Sequence, residues 1–361
     1  MRAAVDTFRA GLNDLTAFLK NAERENALAA MLLNDARFAC LTSPEQALLK
    51  EISKAATSKR QYLYAVAIVG LYGLLERFVD SVLAAYVDDL CVTVTDYEKL
   101  PKAIRKNHLP ASIELMKAIS EERYRGDVQI ADVIANLHSC ITPSDGFRIN
   151  GSAFVLHRGN VKLEKIRGFL TNLGLDAKTR RLLVMPRLER FFAEADPPRD
   201  VHTLPDQDLD LLVSPIDDLV DRRNEIAHGI VYDIESVDLL LARSEFLSAF
   251  VDAFHERLQM ELIPYKLASQ CVQDLGVPIA TFGGTVACFE RATGQVVRGD
   301  SIVAATGDPR VPYRWGEVLG LQVDRIDYPA LQLSQMTKFG MKVSFRVKNN
   351  QHFYLLRAAA N

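Results

Sequence analysis

The hydrophobic pattern of this chain changes from a helical to a strand period near residue 270, and this change limits the folds that the sequence can adopt. Up to about residue 265, apolar residues recur at the spacing of amphipathic helices. Beyond it, runs such as "TVACFERATGQVVRG" and "MKVSFRV" alternate apolar and polar residues between Gly, Pro and Asn. The pattern predicts a mainly α protein, with an all-α domain over residues 1–270 and a small antiparallel β domain over residues 275–361. A barrel-like sheet is expected there, because closure removes exposed edges.

The strongest apolar run is expected to be a buried helix and not a membrane span. "YLYAVAIVGLYGLL", residues 62–75, is shorter than the roughly 20 residues that cross a bilayer. Ahead of it, Ser43, Pro44 and Gln46 form a capping-box pattern that predicts a helix running from Ser43 toward Leu90. The N-terminal segment carries charges throughout and does not resemble a signal peptide. We therefore expect no membrane contact.

Charge and cysteine content exclude few classes of function. The formal net charge is -3, and residues 281–361 have ten basic against six acidic side chains. Any contact with nucleic acid must therefore be local, because the chain has no overall basic field. The five cysteines lie far apart, and none belongs to a CxxC or a Cys/His cluster with metal-ligand spacing. This usage predicts a reducing cytoplasm, no metal site and no cofactor.

The segment "SPIDDLVDRRNEIAHG", residues 214–229, places charged side chains near the end of an apolar helix. Pro215 is a natural first residue of that helix, and Gly229 is a natural stop after His228. At about 100° per residue, Arg223 falls on the apolar face of the helix. Burying a charge without a partner costs several kcal/mol, so either a carboxylate or an anionic ligand should meet this guanidinium.

Arg223 and His228 supply two parts of a phosphodiesterase. Arginine binds a phosphate through two parallel hydrogen bonds, and histidine exchanges protons near neutral pH. Asn224 lies between them, so that all three side chains can border one cleft. Metal-free RNA cleavage needs a base for the 2′-hydroxyl, an acid for the leaving oxygen and positive charge at the phosphate. A two-fold dimer of motif helices would bring two histidines and two arginines together.

The motif resembles that of the HEPN ribonucleases, whose signature is an arginine followed, after four to six residues, by a histidine in a helical domain. Arg223 and His228 have this spacing, and Asn224 is the polar residue that is common after the family's arginine. Arg222 satisfies the spacing as well.

Two other segments are similar to the same family. "LYGLLERFVDSVLAAYV" resembles the earlier core helix with its embedded acidic residue, here Glu76. "LHRGNVKLEKIRGFLTNLGL", which begins next to His157, resembles a segment of stand-alone prokaryotic members. The resemblance covers about residues 40–260 and implies a HEPN-like helical bundle, whereas the predicted β domain is not part of the family's core pattern.

The resemblance implies a dimeric, metal-independent endoribonuclease that uses 2′-hydroxyl attack and acts as a toxin or a phage-defence effector. Its implied partners are RNA, a second copy of the chain, and an antitoxin or nucleotidyltransferase. The catalytic residues are predicted to be Arg223 and His228. Supporting or substrate-binding residues are predicted to be Asn224, Arg222, Glu76 and His157.

Simpler structural explanations exist for the same residues. Arg223 can belong to an ion pair, and His228 can favour the negative end of the helix dipole. Glu76 can pair with a basic neighbour on its own helix. His157 can be a loop histidine and Asn160 a helix cap. The alternative function is then a non-catalytic HEPN-type RNA-binding or regulatory dimerisation module.

Overall fold

A computed structural model describes residues 1–33, 41–119, 128–142, 146–229, 233–268 and 272–356. This part of the chain is mainly α-helical and ends in an antiparallel β sheet, as the change in hydrophobic period predicts. A short 3-10 helix covers Tyr97–Lys99. The α-helices are α1 (Arg2–Leu33), α2 (Ser43–Thr93), α3 (Lys102–Ala118), α4 (Ile130–Ile141), α5 (Gly151–Phe154), α6 (Leu163–Asn172), α7 (Thr179–Leu183), α8 (Pro186–Ala193), α9 (Asp206–Val213), α10 (Pro215–Ala227) and α11 (Val237–Ala268).

The chain divides into two compact units that alternate along the sequence. The first comprises Met1–Ala85, Lys106–Val133 and Asn150–His255. The second comprises Tyr86–Arg105, Ile134–Ile149 and Glu256–Asn361. The first unit contains the arginine and histidine motif, and the second contains the β strands. The domain boundary near residue 270 remains a prediction.

Helix α2 begins where the sequence predicts it, but another residue caps it. The helix covers Ser43–Thr93. The backbone N–H and the hydroxyl of Thr42 both donate to Glu45 Oε2 at 2.7 Å, which is the glutamate half of a capping box, one residue earlier than the predicted one. Gln46 instead donates its side-chain amide to the carbonyl of Leu41. The charged carboxylate of Glu45 is the stronger acceptor for the cap.

The long apolar run of α2 is buried on one side only, so the prediction of a buried helix holds for one of its faces. Phe78 lies in the core of the first unit, where its ring meets Phe8 of α1 edge-on at 5.8 Å and Phe254 of α11 at 6.1 Å. On another face of the same helix, Tyr62, Val66 and Val69 are exposed to 74%, 50% and 47%. Among the described residues, no helix is long and apolar enough to cross a membrane.

Within residues 272–356, the strands form a curled antiparallel half-barrel and a separate two-stranded ribbon. The half-barrel has the strand order β1-β10-β5-β6-β9-β3-β2, with β7 paired to β6, and the ribbon joins β4 to β8. No ladder between β1 and β2 closes the sheet within this range. The strands are β1 (Val272–Gly276), β2 (Ala280–Phe282), β3 (Val286–Arg291), β4 (Gly294–Val297), β5 (Ser301–Ala305), β6 (Tyr313–Val323), β7 (Ile326–Tyr328), β8 (Ala330–Leu333), β9 (Thr337–Val343) and β10 (His352–Leu356).

The core of the half-barrel is a cluster of aromatic rings. Phe289 is buried and contacts Phe339 at 5.9 Å and Phe353 at 5.4 Å between ring centroids. These rings come from β3, β9 and β10, so a single side chain joins three strands.

Candidate functional site

Helix α10 carries the motif and ends as the sequence predicts. It covers Pro215–Ala227, and the backbone N–H of His228 donates to the carbonyl of Asn224 at 3.0 Å. Gly229 follows with φ +72°, a left-handed conformation that favours glycine and stops the helix. The buried face of the helix consists of Ile216, Leu219 and Val220.

Arg222 belongs to a partly buried network of ion pairs. Its side chain is 19% exposed, and it donates to Asp218 Oδ2 at 3.0 Å and to the hydroxyl of Tyr64 at 3.0 Å. It also lies 3.3 Å from Glu235, and Arg243 pairs with the same two carboxylates. Burial opposes ionisation of Asp218, but hydrogen bonds from the two arginines lower its pKa. The guanidinium of Arg222 is thus neutralised within its own chain.

Arg223, one residue later, has a different environment. Its side chain is partly buried, and its Cζ atom lies 5.5 Å from the centroid of the Tyr72 ring, within the range of a cation–π contact. Its Nη1 atom donates weakly to Asn224 Oδ1 at 3.4 Å. In the part of the chain that the structure describes, no carboxylate forms an ion pair with this guanidinium. Of the two partners predicted for this charge, a carboxylate is not found among the described residues, and an anionic ligand remains a prediction.

A chain of hydrogen bonds connects Arg223 to the segment before α6. Asn160 Nδ2 donates to Asn224 Oδ1 at 2.7 Å, and Asn160 Oδ1 lies 3.3 Å from the Tyr72 hydroxyl. The Tyr72 hydroxyl also lies 3.1 Å from Glu76 Oε1 and accepts from the backbone N–H of Val161. Burial of Tyr72 raises its pKa to about 12, against the opposing effect of the Val161 hydrogen bond, so the hydroxyl stays protonated.

His157 lies deep in the same cluster. Its side chain is fully buried, its Nδ1 atom lies 2.7 Å from the carbonyl of Gly159, and its Nε2 atom lies 3.3 Å from Asp80 Oδ1. Glu76 Oε1 is 3.9 Å from the same nitrogen. The structure thus joins His157 and Glu76 to Arg223 through Tyr72, and the burial of His157 argues for a role inside the fold.

His228 is exposed at the end of α10. Its ring has no hydrogen-bond partner among the residues that the structure describes. It continues the helix face that carries Asp217, Asp221 and Asn224, since the four positions are i, i+4, i+7 and i+11. The exposed imidazole thus lies one turn beyond Asn224 on this face.

Sequence analysis did not assign Tyr72 to this cluster and explained Asn160 as a helix cap. Asn160 is not the cap of α6, because that position belongs to Lys162. The available signal was the Tyr72 and Glu76 pair at i and i+4 within an otherwise apolar run. Across the described ranges, no group of three or more His, Cys, Asp or Glu residues could hold a metal ion.

One comparison with known proteins bears on this site. A family model described as RiboL-PSP-HEPN matches residues 45–260. The matched range is more than half of the chain and includes nearly all of α2, the segment before α6, and α10. A search of curated proteins found no match.

Proposed function

The chain belongs to the RiboL-PSP-HEPN family over residues 45–260, and from this membership we propose that it is a metal-independent endoribonuclease in which Arg223 and His228 act on RNA. The family indicates an RNase-type or RNA-related function. The observation that carries the proposal is the contrast within α10: Arg222 is neutralised by carboxylates, while Arg223 is partly buried beside neutral groups. A guanidinium in that setting is suited to a phosphate.

The proposed reaction is an attack of the RNA 2′-oxygen on the adjacent phosphorus. A histidine takes the proton of the 2′-hydroxyl, the new P–O2′ bond forms, and the P–O5′ bond breaks. A second histidine returns a proton to the leaving 5′-oxygen. Arg223 donates to the phosphate oxygens, whose negative charge grows in the transition state. The products are a 2′,3′-cyclic phosphate and a 5′-hydroxyl. Asn224 supports the arginine, and Glu76 contacts Tyr72.

We propose that a second copy of the chain supplies the second histidine. The exposed residues Tyr62, Val66 and Val69 form an apolar stripe on α2 at positions i, i+4 and i+7. Gly73 continues the stripe, and a Cβ atom there would meet no atom within 4 Å. The stripe leads to the turn of α2 that contributes Tyr72 to the site, so a copy docked on it would bring a second motif nearby.

Cleavage is tested with the purified chain and a single-stranded RNA in EDTA. We expect cleavage with cyclic phosphate ends, and a fall in kcat of about 100- to 10,000-fold for His228→Ala. A strand with 2′-deoxyribose throughout should stay intact. Loss of cleavage on chelation, or equal cleavage by His228→Ala, would contradict the mechanism.

Dimerisation is tested by sedimentation of Val69→Lys. We expect the wild type to be a dimer, and the variant to be a monomer with reduced cleavage, because a buried lysine at the interface has no partner. Val92→Lys is the matched control, since Val92 is 84% exposed and lies outside the stripe. A wild-type monomer that cleaves RNA would exclude the composite site.

One observation favours the alternative of a non-catalytic RNA-binding or regulatory dimerisation module. No described residue orients the His228 ring, whereas a general base is commonly held by a third group. RNA binding that depends on Arg223 but yields no product would support this second function.

The biological role as a toxin or phage-defence effector is also part of the proposal. Expression of the wild type should arrest growth and fragment cellular RNA, and expression of His228→Ala should do neither. An antitoxin or nucleotidyltransferase partner should suppress the arrest when expressed together with the chain. Growth arrest by both forms would separate toxicity from RNA cleavage.

A further inference from the structure

The segment from residue 157 to residue 163 docks along the face of α10 that ends at His228. Three contacts fix it: Leu163 N to Asp217 Oδ1 at 2.7 Å, Lys162 Nζ to Asp221 Oδ1 at 2.6 Å, and Asn160 Nδ2 to Asn224 Oδ1 at 2.7 Å. The three acceptors follow one another along a single helix face. The segment therefore runs antiparallel to the helix, and its early residues lie beside the end that carries the motif.

The turn that delivers Asn160 has little freedom. His157 is buried and its ring lies 2.7 Å from the carbonyl of Gly159, which closes the turn. Gly159 has φ +90°, a conformation that side-chain-bearing residues rarely adopt. Val161, on the other side of Asn160, is buried, and its N–H donates to Tyr72. The backbone is thus fixed on both sides of Asn160.

Both ends of the Asn160 amide have partners in the cluster. Its Nδ2 atom donates to Asn224, and its Oδ1 atom faces the Tyr72 hydroxyl. Arg223 lies between these two partners, because its Nη1 atom donates to Asn224 Oδ1 and its Cζ atom lies beside the Tyr72 ring. Asn160 therefore couples the two side chains that contact the guanidinium.

We propose that Asn160 and Tyr72 are positioning residues that fix the direction of Arg223 with neutral groups and leave its charge to an RNA phosphate. This inference rests on the proposed function. A carboxylate in the same place would hold the arginine equally well, as Asp218 holds Arg222, but it would compete with the phosphate for the same donors. A ring face and an amide oxygen restrict the guanidinium without neutralising it.

The first test compares Asn160→Ala with Lys162→Ala in the full chain. Both changes remove one contact of the same docked segment, but the ion pair of Lys162 with Asp221 is exposed and does not include a partner of Arg223. We expect Asn160→Ala to lower kcat about 10- to 100-fold, because small misplacements of a catalytic group have effects of this size. Lys162→Ala should keep the wild-type rate. A 2′-O-methyl RNA, which cannot be cleaved, should bind more weakly to Asn160→Ala than to the wild type, and should bind to Lys162→Ala as it does to the wild type.

The second test is Asn160→Asp, which keeps the size of the side chain and covers the case in which Asn160→Ala does not fold. The distances through Asn224 Oδ1 place the new carboxylate within about 6 Å of the guanidinium, close enough to attract it. We expect a strong loss of cleavage at neutral pH. The ratio of variant to wild-type rate should rise as the pH falls and the carboxylate becomes protonated. A ratio that does not change with pH would contradict this electrostatic effect.

Arg223→Ala distinguishes failure of the proposed function from failure of the positioning role. If this variant cleaves and binds RNA like the wild type, the proposed function fails. If it loses both properties while Asn160→Ala and Asn160→Asp behave like the wild type, the function stands and the positioning role is overturned. Tyr72→Phe keeps the ring but removes the hydroxyl, and we expect a smaller loss in kcat than for Asn160→Ala.

Discussion

The two neighbouring arginines of α10 should respond in opposite ways to alanine substitution. Arg222→Ala removes a side chain that is 19% exposed and that binds Asp218 and Glu235, the latter 9% exposed. Removing one partner of a buried ion pair costs about 3 to 5 kcal/mol. Arg243 remains beside both carboxylates, and Asp218 is partly hydrated. We therefore expect Arg222→Ala to lose about 2 to 3 kcal/mol of stability, at or just below the lower end of this range.

Arg223→Ala removes a cation–π contact at a partly exposed site and one long hydrogen bond. The expected loss of stability is below about 1 kcal/mol. Urea unfolding measures both variants, and a difference of 2 kcal/mol corresponds to roughly 4 to 8 °C in Tm for a domain of this size. RNA cleavage below the melting range should be lost in Arg223→Ala and largely kept in Arg222→Ala. Equal destabilisation by both variants, or loss of cleavage in Arg222→Ala alone, would refute the assignment.

Three further predictions concern stability. Burial lowers the pKa of His108 from 6.5 to about 4 in the folded chain, so the unfolded chain takes up a proton at a higher pH than the folded chain does. The free energy of unfolding, measured by urea titration, should therefore fall by about 2 kcal/mol between pH 7 and pH 5. His108→Gln should show a smaller fall. Thr42→Ala should lose about 1 kcal/mol through its capping box with Glu45, whereas Thr42→Ser should keep most of that stability in the same titration. Phe289→Ala should lower the free energy of unfolding by about 3 to 5 kcal/mol, as measured by calorimetry, because Phe289 is buried. The control is Phe282→Ala, which should change it by less than about 0.5 kcal/mol because Phe282 is exposed.

The parts of this fold that depend on local sequence signals were predictable. The change in hydrophobic period identified the helices and the sheet, and Gly229 after His228 marked the end of α10. The cap of α2 was placed one residue late, because Ser43 and Thr42 both suit an N-cap and the carboxylate of Glu45 decides between them. The choice between two adjacent N-cap residues depends on the three-dimensional geometry at the start of the helix, which the spacing of residues in the sequence does not specify.

The parts that depend on distant contacts were not predictable from spacing. The apolar stripe at Tyr62, Val66 and Val69 has the same period as a core-facing stripe, so periodicity cannot tell exposed from buried. Asn160 bonds to a residue 64 positions away and lies beside Tyr72, 88 positions away. Both Arg223 and Arg222 satisfy the spacing of the motif, and Asn224 favours Arg223, but the ion pairs of Arg222 cannot be seen in the spacing.

An arginine whose neighbours in the described chain are an aromatic ring and an amide is receptive to any small oxyanion. If Arg223 holds an RNA phosphate as proposed, phosphate or sulfate in a purification buffer should compete with RNA for it, in proportion to its concentration. The choice of buffer thus becomes an experimental variable, and chloride solutions of low ionic strength should give RNA the least competition.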